Sequence, residues 1–239
     1  MLKLLLSVKR RVFRQNDAEA TLHDQAFKAK RANALQRHRF TCSGCGYSSK
    51  NTSHLDVHHL DDNHRNQADE NLVAACHICH NYQHIGEADF RYSKGPTQPR
   101  RTMIATIPEI SPADLNLLQR AIGVALLDAQ EADLARRLAD RLAARGEVTE
   151  MLFGSKSPSS WAGAMASMSA GQFAARADVI VDERLLLHPE ELKELGREML
   201  ADNPTLPLSK WANVARSTMS SAAAAPSSPS AGLLVEEAA

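Results

Sequence analysis

Apolar residues recur at helical spacing between positions 18 and 38, where Leu22, Ala26, Ala29, Ala32 and Leu35 follow one another with no Pro or Gly, and this predicts a helix. The helix leads directly into FTCSGCGY, in which two cysteines flank a tight turn and Gly46 frees the backbone where amides approach sulfur. A short hairpin is expected next, reaching to Leu60. The stretch DDNHRNQAD has a single apolar residue, an Ala, and reads as a loop; NLVAACHICHNYQH continues as a turn and a helix, closing this region near Gly86.

YSKGPTQPRR is a linker by composition, and TMIATI after it has the β-branched character of one short strand. Ser111 and Pro112 form an N-cap and first-turn pair, and Leu115, Leu118, Ile122 and Leu126 mark an amphipathic helix to about Ala129. The spacing predicts further helices over 131–145, 160–176, 189–201 (opened by Pro189) and 207–218. From Ser220 the run SAAAAPSSPSAG is low in complexity and is expected to be disordered. The chain thus reads as α+β in four parts: a basic segment and helix over 1–38, a cysteine- and histidine-rich module over 39–88, a mainly helical region with one short leading strand over 101–218, and a tail over 219–239.

At 239 residues, 44% hydrophobic, the chain suits one domain or two small ones. The opening MLKLLLSVKRR is too short an apolar run to span a bilayer, and the basic RRVFR after it makes a poor cleavage site, so a cytoplasmic protein without membrane insertion is expected. The zero net charge hides an asymmetry. Residues 1–40 carry ten Lys and Arg against three acids, whereas 182–202 carry seven acids against three bases. A basic arm of this kind suits phosphate or an acidic protein segment alike.

All four cysteines fall in the pattern C-x2-C-x30-C-x2-C, formed by Cys42, Cys45, Cys76 and Cys79. Two such pairs supply the thiolates of a closed tetrahedral structural Zn2+ site, and in a reducing compartment they favour metal over disulfide. A thioredoxin-like redox pair lacks its βαβ context here.

Seven of the ten histidines lie between 54 and 84, and His54, His64 and His77 are expected to face solvent. The rest follow an order: His58-His59, then Asn71-Leu72, then Cys76-x-x-Cys79-His80, with His84 one helical turn later. This resembles the HNH endonuclease motif and implies an HNH-like, ββα-metal zinc fold. In that family a catalytic divalent metal sits between hairpin and helix while an imidazole activates water. The resemblance gives His59 as general base, Asn71 as the residue that orients it and pins the loop, His58 as a ligand of a second ion such as Mg2+, Mn2+ or Ni2+, and His80 and His84 as ligands of that ion or of phosphate. The chemistry suits these residue types, since phosphodiester cleavage needs a base near neutral pKa and a cation. On a regular strand, however, His58 and His59 point to opposite faces, and both can serve one site only where the strand bends or bulges.

A longer resemblance is carried by LKLLLSVKRR, RHRFTCSGCGY, NLVAACHICH, IPEISPADLNLL, RLLLHPEELKELGREML and LSKWA, spread over residues 1–215. These stretches are similar to the DotN/IcmJ components of type IVB secretion systems and related conjugative systems. That resemblance implies a subunit that binds an extended segment of the type IV coupling ATPase beside other coupling-complex subunits, cytoplasmic or peripheral at the inner membrane, with a role in assembly and substrate presentation. Cleavage of DNA as an HNH endonuclease is the competing reading, and zinc-dependent nucleic-acid binding without cleavage a third.

Overall fold

The computed structural model describes residues 2–9, 20–86 and 102–202; the expected linker over 92–101, the helix over 207–218 and the tail lie outside them. The first helix, α1, runs Ala20–Arg37. It buries Ala34 and Leu35, while Ala29 and Ala32 of the expected stripe are exposed. Its basic side chains are occupied within the fold: Arg31 donates to the carbonyls of Thr52 (2.6 Å) and Leu55 (2.7 Å), Arg37 to those of Asp69 (2.6 Å) and Leu72 (3.0 Å), and Lys30 pairs with Asp69 at 3.0 Å. Arg31 and Arg37 thus terminate backbone carbonyls at the hairpin rim and are spent within the fold.

After α1 the chain turns through Arg39 and Phe40, both at positive φ, into a loop closed by a bridge between Thr41 and Ser48. Gly46 has φ +78°, the conformation that its place in the turn predicts. Strand β1, Leu55–His59, pairs antiparallel with β2, Leu72–Cys76, in unbroken register from Leu55 opposite Cys76 to His59 opposite Leu72. This corrects the expectation of a turn and helix from Asn71. LVAAC is a five-residue strand buried on both faces, and a fully buried strand shows no alternation by which to tell it from a helix. Helix α2, His77–Tyr82, follows β2 without a linking residue.

Residues 2–9 are more than a basic lead-in. Leu2, Leu6 and Val8 are buried, and the backbone is pinned by Leu2 N to Ser43 O (3.2 Å), Ser7 N to Tyr82 O (2.7 Å) and Ile85 N to Ser7 O (3.0 Å).

The later region opens with β3, Thr102–Thr106, where a strand was expected. It is not alone: β4, Glu183–Leu187, pairs with it antiparallel, Ile104 opposite Leu185. ERLLL was hidden by its continuity with the helical pattern after Pro189. The helices are α3 (Pro112–Ala125), α4 (Ala132–Ala144), α5 (Gly146–Phe153), α6 (Pro158–Ser167), α7 (Ala170–Val179) and α8 (Pro189–Asp202). Ser111 caps α3 through Asp114 N at 3.1 Å. The single helix expected over 160–176 is split because Ser169 forms a capping box with Gln172 and starts a new helix there. Helix α5 has no counterpart among the expected elements.

One apolar cluster joins the two regions, with Leu6, Leu35, Leu55, Ile78 and Tyr82 continuous with Ile104, Ile122, Leu185, Leu192 and Leu195. Polar groups bridge the same seam. The Tyr82 hydroxyl accepts from Leu185 N at 3.1 Å, and the Gln119 amide donates to Leu185 O (3.1 Å) and accepts from Leu187 N (2.9 Å), so the outer edge of β4 is satisfied by side chains.

Helices α3 and α8 cross backbone to backbone at Gly123 and Gly196, where a Cβ on either would overlap main-chain atoms of the other helix. Gly123→Ala or Gly196→Ala is therefore expected to destabilise the fold by at least about 1–3 kcal/mol, the usual penalty of overpacking. Gly163→Ala, in open space on α6, is expected to be neutral or stabilising. Urea midpoints of the three variants check this; equal midpoints would refute the close crossing.

Candidate metal centres

The bridged loop delivers Cys42 and Cys45, β2 ends on Cys76, and the first turn of α2 carries Cys79. Their sulfurs all lie within 4.8 Å of one another, all four residues are buried, and none forms a disulfide. The turn is organised around sulfur: Gly44 N donates to Cys42 Sγ at 3.3 Å, and Cys42 N to Tyr47 O at 2.8 Å. Cys45 Sγ and Cys76 Sγ are 3.7 Å apart. Without a cation, thiols this close must share protons. Neighbouring thiols hold Cys42 (chiefly Cys45) and Cys76 (chiefly Cys42) below the ordinary thiol range, and push Cys45 and Cys79 (chiefly Cys42) above it. Four sulfurs that converge without pairing and cannot all ionise together fit a dication that replaces the shared protons, so the group could hold a metal ion such as zinc.

Two helical residues that the sequence reading missed adjoin this centre. Asn116 Nδ2 donates to Cys79 Sγ at 3.2 Å, and the wholly buried Arg120 lies over the Tyr47 ring at 3.6 Å and reaches Glu198 at 3.3 Å. The sequence marks this helix by Leu115, Leu118, Ile122 and Leu126 alone. Leu115, Ile122 and Leu126 are buried in the core, but Asn116, Gln119 and Arg120 are buried with them. Polar residues in phase with that stripe were the available signal.

A second cluster lies one residue beyond Cys79. Nitrogens of His58 on β1, His80 on α2 and His84 just after it lie within 4.8 Å of one another. The rings meet edge to face, with centroids 5.4 Å apart for His58–His80, 5.4 Å for His58–His84 and 4.6 Å for His80–His84. His80 Nδ1 is 3.2 Å from an Asp56 carboxylate, a contact that turns Nε2 into the available ligand atom. Burial, reinforced by His80 and Lys9, pushes the His58 pKa down to about 2, so this imidazole is neutral and its lone pair is open to a metal at physiological pH. Three imidazoles suit Zn2+ or Ni2+ far better than Mg2+, which takes oxygen ligands.

His59 is not in this cluster. The β1–β2 register has no bulge, so His59 points to the opposite face of β1, stacked on Phe27 of α1 with centroids 5.4 Å apart and tilted against His64 at 5.3 Å. Asn71 spends its side chain on the loop: Nδ2 donates to Asp61 Oδ1 (2.8 Å) and Asn66 O (3.0 Å), and Oδ1 accepts from Asp61 N (3.0 Å). The three histidines expected to face solvent do not. His64 is buried against Phe27 of α1, His54 bonds Asp202 of α8 at 2.8 Å, and His77, the first residue of α2, pairs with Glu198 of α8 at 3.6 Å.

No protein-family model matches the chain. It is similar to the type 4 apparatus protein DotN of Legionella pneumophila, 27% identical over 132 residues, a match that takes in 55% of this chain and 58% of that protein. Among the described residues no helix is long and apolar enough to cross a membrane.

Burial pushes the His59 pKa down from 6.5 to about 4, with Lys9 and His64 adding to the effect. Between those values the unfolded chain takes up a proton that the folded chain does not, so stability falls as pH drops from about 6.5 toward 4. His59→Phe keeps a ring on Phe27 and removes the titration. Its urea midpoint is expected to depend less steeply on pH than that of the parent protein between about 6.5 and 5; equal slopes would show that His59 is not the group responsible.

Proposed function

We propose that the protein is a zinc-binding, HNH-like subunit of a type IVB secretion or conjugation machine, acting in assembly of a coupling complex around its ATPase and not as a nuclease. The observation that carries this reading is the similarity to a type 4 apparatus protein over 132 residues, nearly three times the span of the cysteine–histidine module. The ββα order supports the HNH-like part: a hairpin followed at once by a short helix, with one cysteine pair on the preceding loop and the other at the β2–α2 junction.

The separation of His59 from the three-imidazole cluster favours assembly over cleavage, as does the internal use of Arg31 and Arg37. A nuclease needs its base and its cation on one phosphate. The endonuclease reading keeps one specific support, the converging set of His58, His80 and His84. In either case Cys42, Cys45, Cys76 and Cys79 hold a structural zinc, and the histidine set is a weaker site for a second ion.

One equivalent of zinc per chain is expected to survive dialysis against a mild chelator, and Cys79→Ser is expected to lose it together with the fold of the module, since structural zinc contributes on the order of 10 kcal/mol. Elemental analysis and circular dichroism measure both. A metal-free Cys79→Ser protein with a native spectrum would remove the zinc assignment.

The function itself is tested by isolating tagged protein from its native host. A coupling ATPase is expected to co-purify, and to do so undiminished with His59→Ala. Absence of the ATPase, combined with metal-dependent DNA cleavage that His59→Ala abolishes, would replace this proposal with the endonuclease.

A further inference from the structure

Four thiolates around one zinc leave a net charge of about −2, and burying uncompensated charge is expensive. The cysteine loop offers little to offset it. Its main contribution is the Gly44 amide, which donates to Cys42 Sγ at 3.3 Å. Both other resources come from α3, far along the chain. Asn116 is fully buried and directs Nδ2 to Cys79 Sγ at 3.2 Å, while its own Oδ1 is left without a hydrogen-bond partner. A buried amide oriented at the expense of its acceptor identifies the sulfur as the contact that matters.

Arg120 sits one helical turn further on the same face, with no exposed surface. Tyr47, two residues beyond Cys45, holds its guanidinium flat at 3.6 Å, and only Nη1 has a partner, Glu198 at 3.3 Å. Nε and Nη2 are buried without a hydrogen bond. Their place is beside the thiolate centre: Tyr47 follows Cys45 by two residues, and Asn116, one turn earlier on the same helix, contacts Cys79 Sγ. Gln119 between them does the ordinary work of tying α3 to β4, so neither Asn116 nor Arg120 is needed for that.

We propose that Asn116 and Arg120 are positioning residues of the thiolate centre, so that the metal site is completed only when α3 docks on the module, and metal binding and the packing of α3 and α8 are one equilibrium. This rests on the assignment of zinc to the four cysteines. The metal then acts beyond its own module: release of zinc leaves Arg120 facing protonated thiols, and α3, with α8 locked to it at Gly123 and Gly196, loses its anchor.

The test uses the full chain, zinc-loaded and cobalt-substituted, with Asn116→Leu, Arg120→Lys and the double variant Arg120→Met with Glu198→Gln, which leaves no lone buried carboxylate. Metal content is measured in each, so a metal-free parent protein overturns the zinc assignment and is told apart from failure of this proposal. Loss of a donor to sulfur raises its electron density. The sulfur-to-cobalt charge-transfer band is therefore expected to move to lower energy, and zinc release on alkylation with N-ethylmaleimide to accelerate roughly tenfold, equivalent to about 1.4 kcal/mol, in Asn116→Leu and in the double variant. Arg120→Lys is expected to restore most of the parent behaviour. A purely structural role would alter stability and leave the band unmoved. Folded variants with full metal content, an unchanged band and parental release rates overturn the proposal. Where a variant does not fold, the parent protein decides: on chelation, residues 102–202 are expected to become protease-sensitive together with the cysteine loop, and continued protection of 102–202 overturns the coupling.

Discussion

The convergence of four sulfurs within 4.8 Å is the constraint on which the rest of the described structure depends. Thiols at that separation repel when ionised and compete for protons when not, so the arrangement suits a cation that could replace the protons. Its geometric consequences run outward. Because β2 ends on Cys76 and α2 begins on the next residue, the staple fixes both the direction of the strand and the axis of the helix. His80 follows Cys79 directly, so the same contact aims it at His58 across the hairpin. Tyr82, three residues past Cys79, is carried to the edge of β4, where its hydroxyl meets Leu185 N. A site of a few atoms thereby positions the histidine cluster and the seam with the helical region.

The second constraint is the pleat of β1. Residues adjacent on a strand face opposite ways, and an unbroken register gives them no means of doing otherwise. His58 falls toward α2 and the other imidazoles; His59 falls toward α1 and Phe27. The site therefore divides into a cluster of ligand-ready nitrogens on one face and a depressed, stacked imidazole on the other. Chemistry at a single phosphate would need both on one side. Cation binding needs only the first.

Much of this was legible from residue order. Two CxxC pairs announce a thiolate site whatever the fold around it, Gly46 marks the turn that needs positive φ, and Ser111-Pro112 marks the start of α3, because each is a local requirement. The failures are non-local. β2 and β4 are continuous apolar runs that become strands only by pairing with β1 and β3, and no periodicity in LVAAC or ERLLL separates strand from helix. His54, His64 and His77 look solvated among polar neighbours, yet α1 packs on His64 and α8 pairs with the other two. Asn116 and Arg120 were not legible because their partners are distant in the chain, Cys79 for the first and Tyr47 and Glu198 for the second, and buried polar residues in a helix disclose their purpose only when those partners are in place.

A residue order that resembles the HNH motif, in a chain similar to a secretion-apparatus protein, points two ways, and the packing bears on the choice. Each residue of the set has a job that needs no catalysis. His59 fills the space over Phe27, and with burial opposing its protonation it behaves as a core aromatic near neutral pH. Asn71 closes the loop between β1 and β2 through three hydrogen bonds, and no other residue type of its size offers two donors and an acceptor in that arrangement. His80 is held by Asp56, across the face where His58 and His84 complete the interior. Substituting any of them would cost burial or leave a polar group without its partner. Folding alone is then reason enough for these residues to be present, and their presence carries little weight for cleavage. The match to the apparatus protein weighs more, because its 132 residues reach well beyond the module.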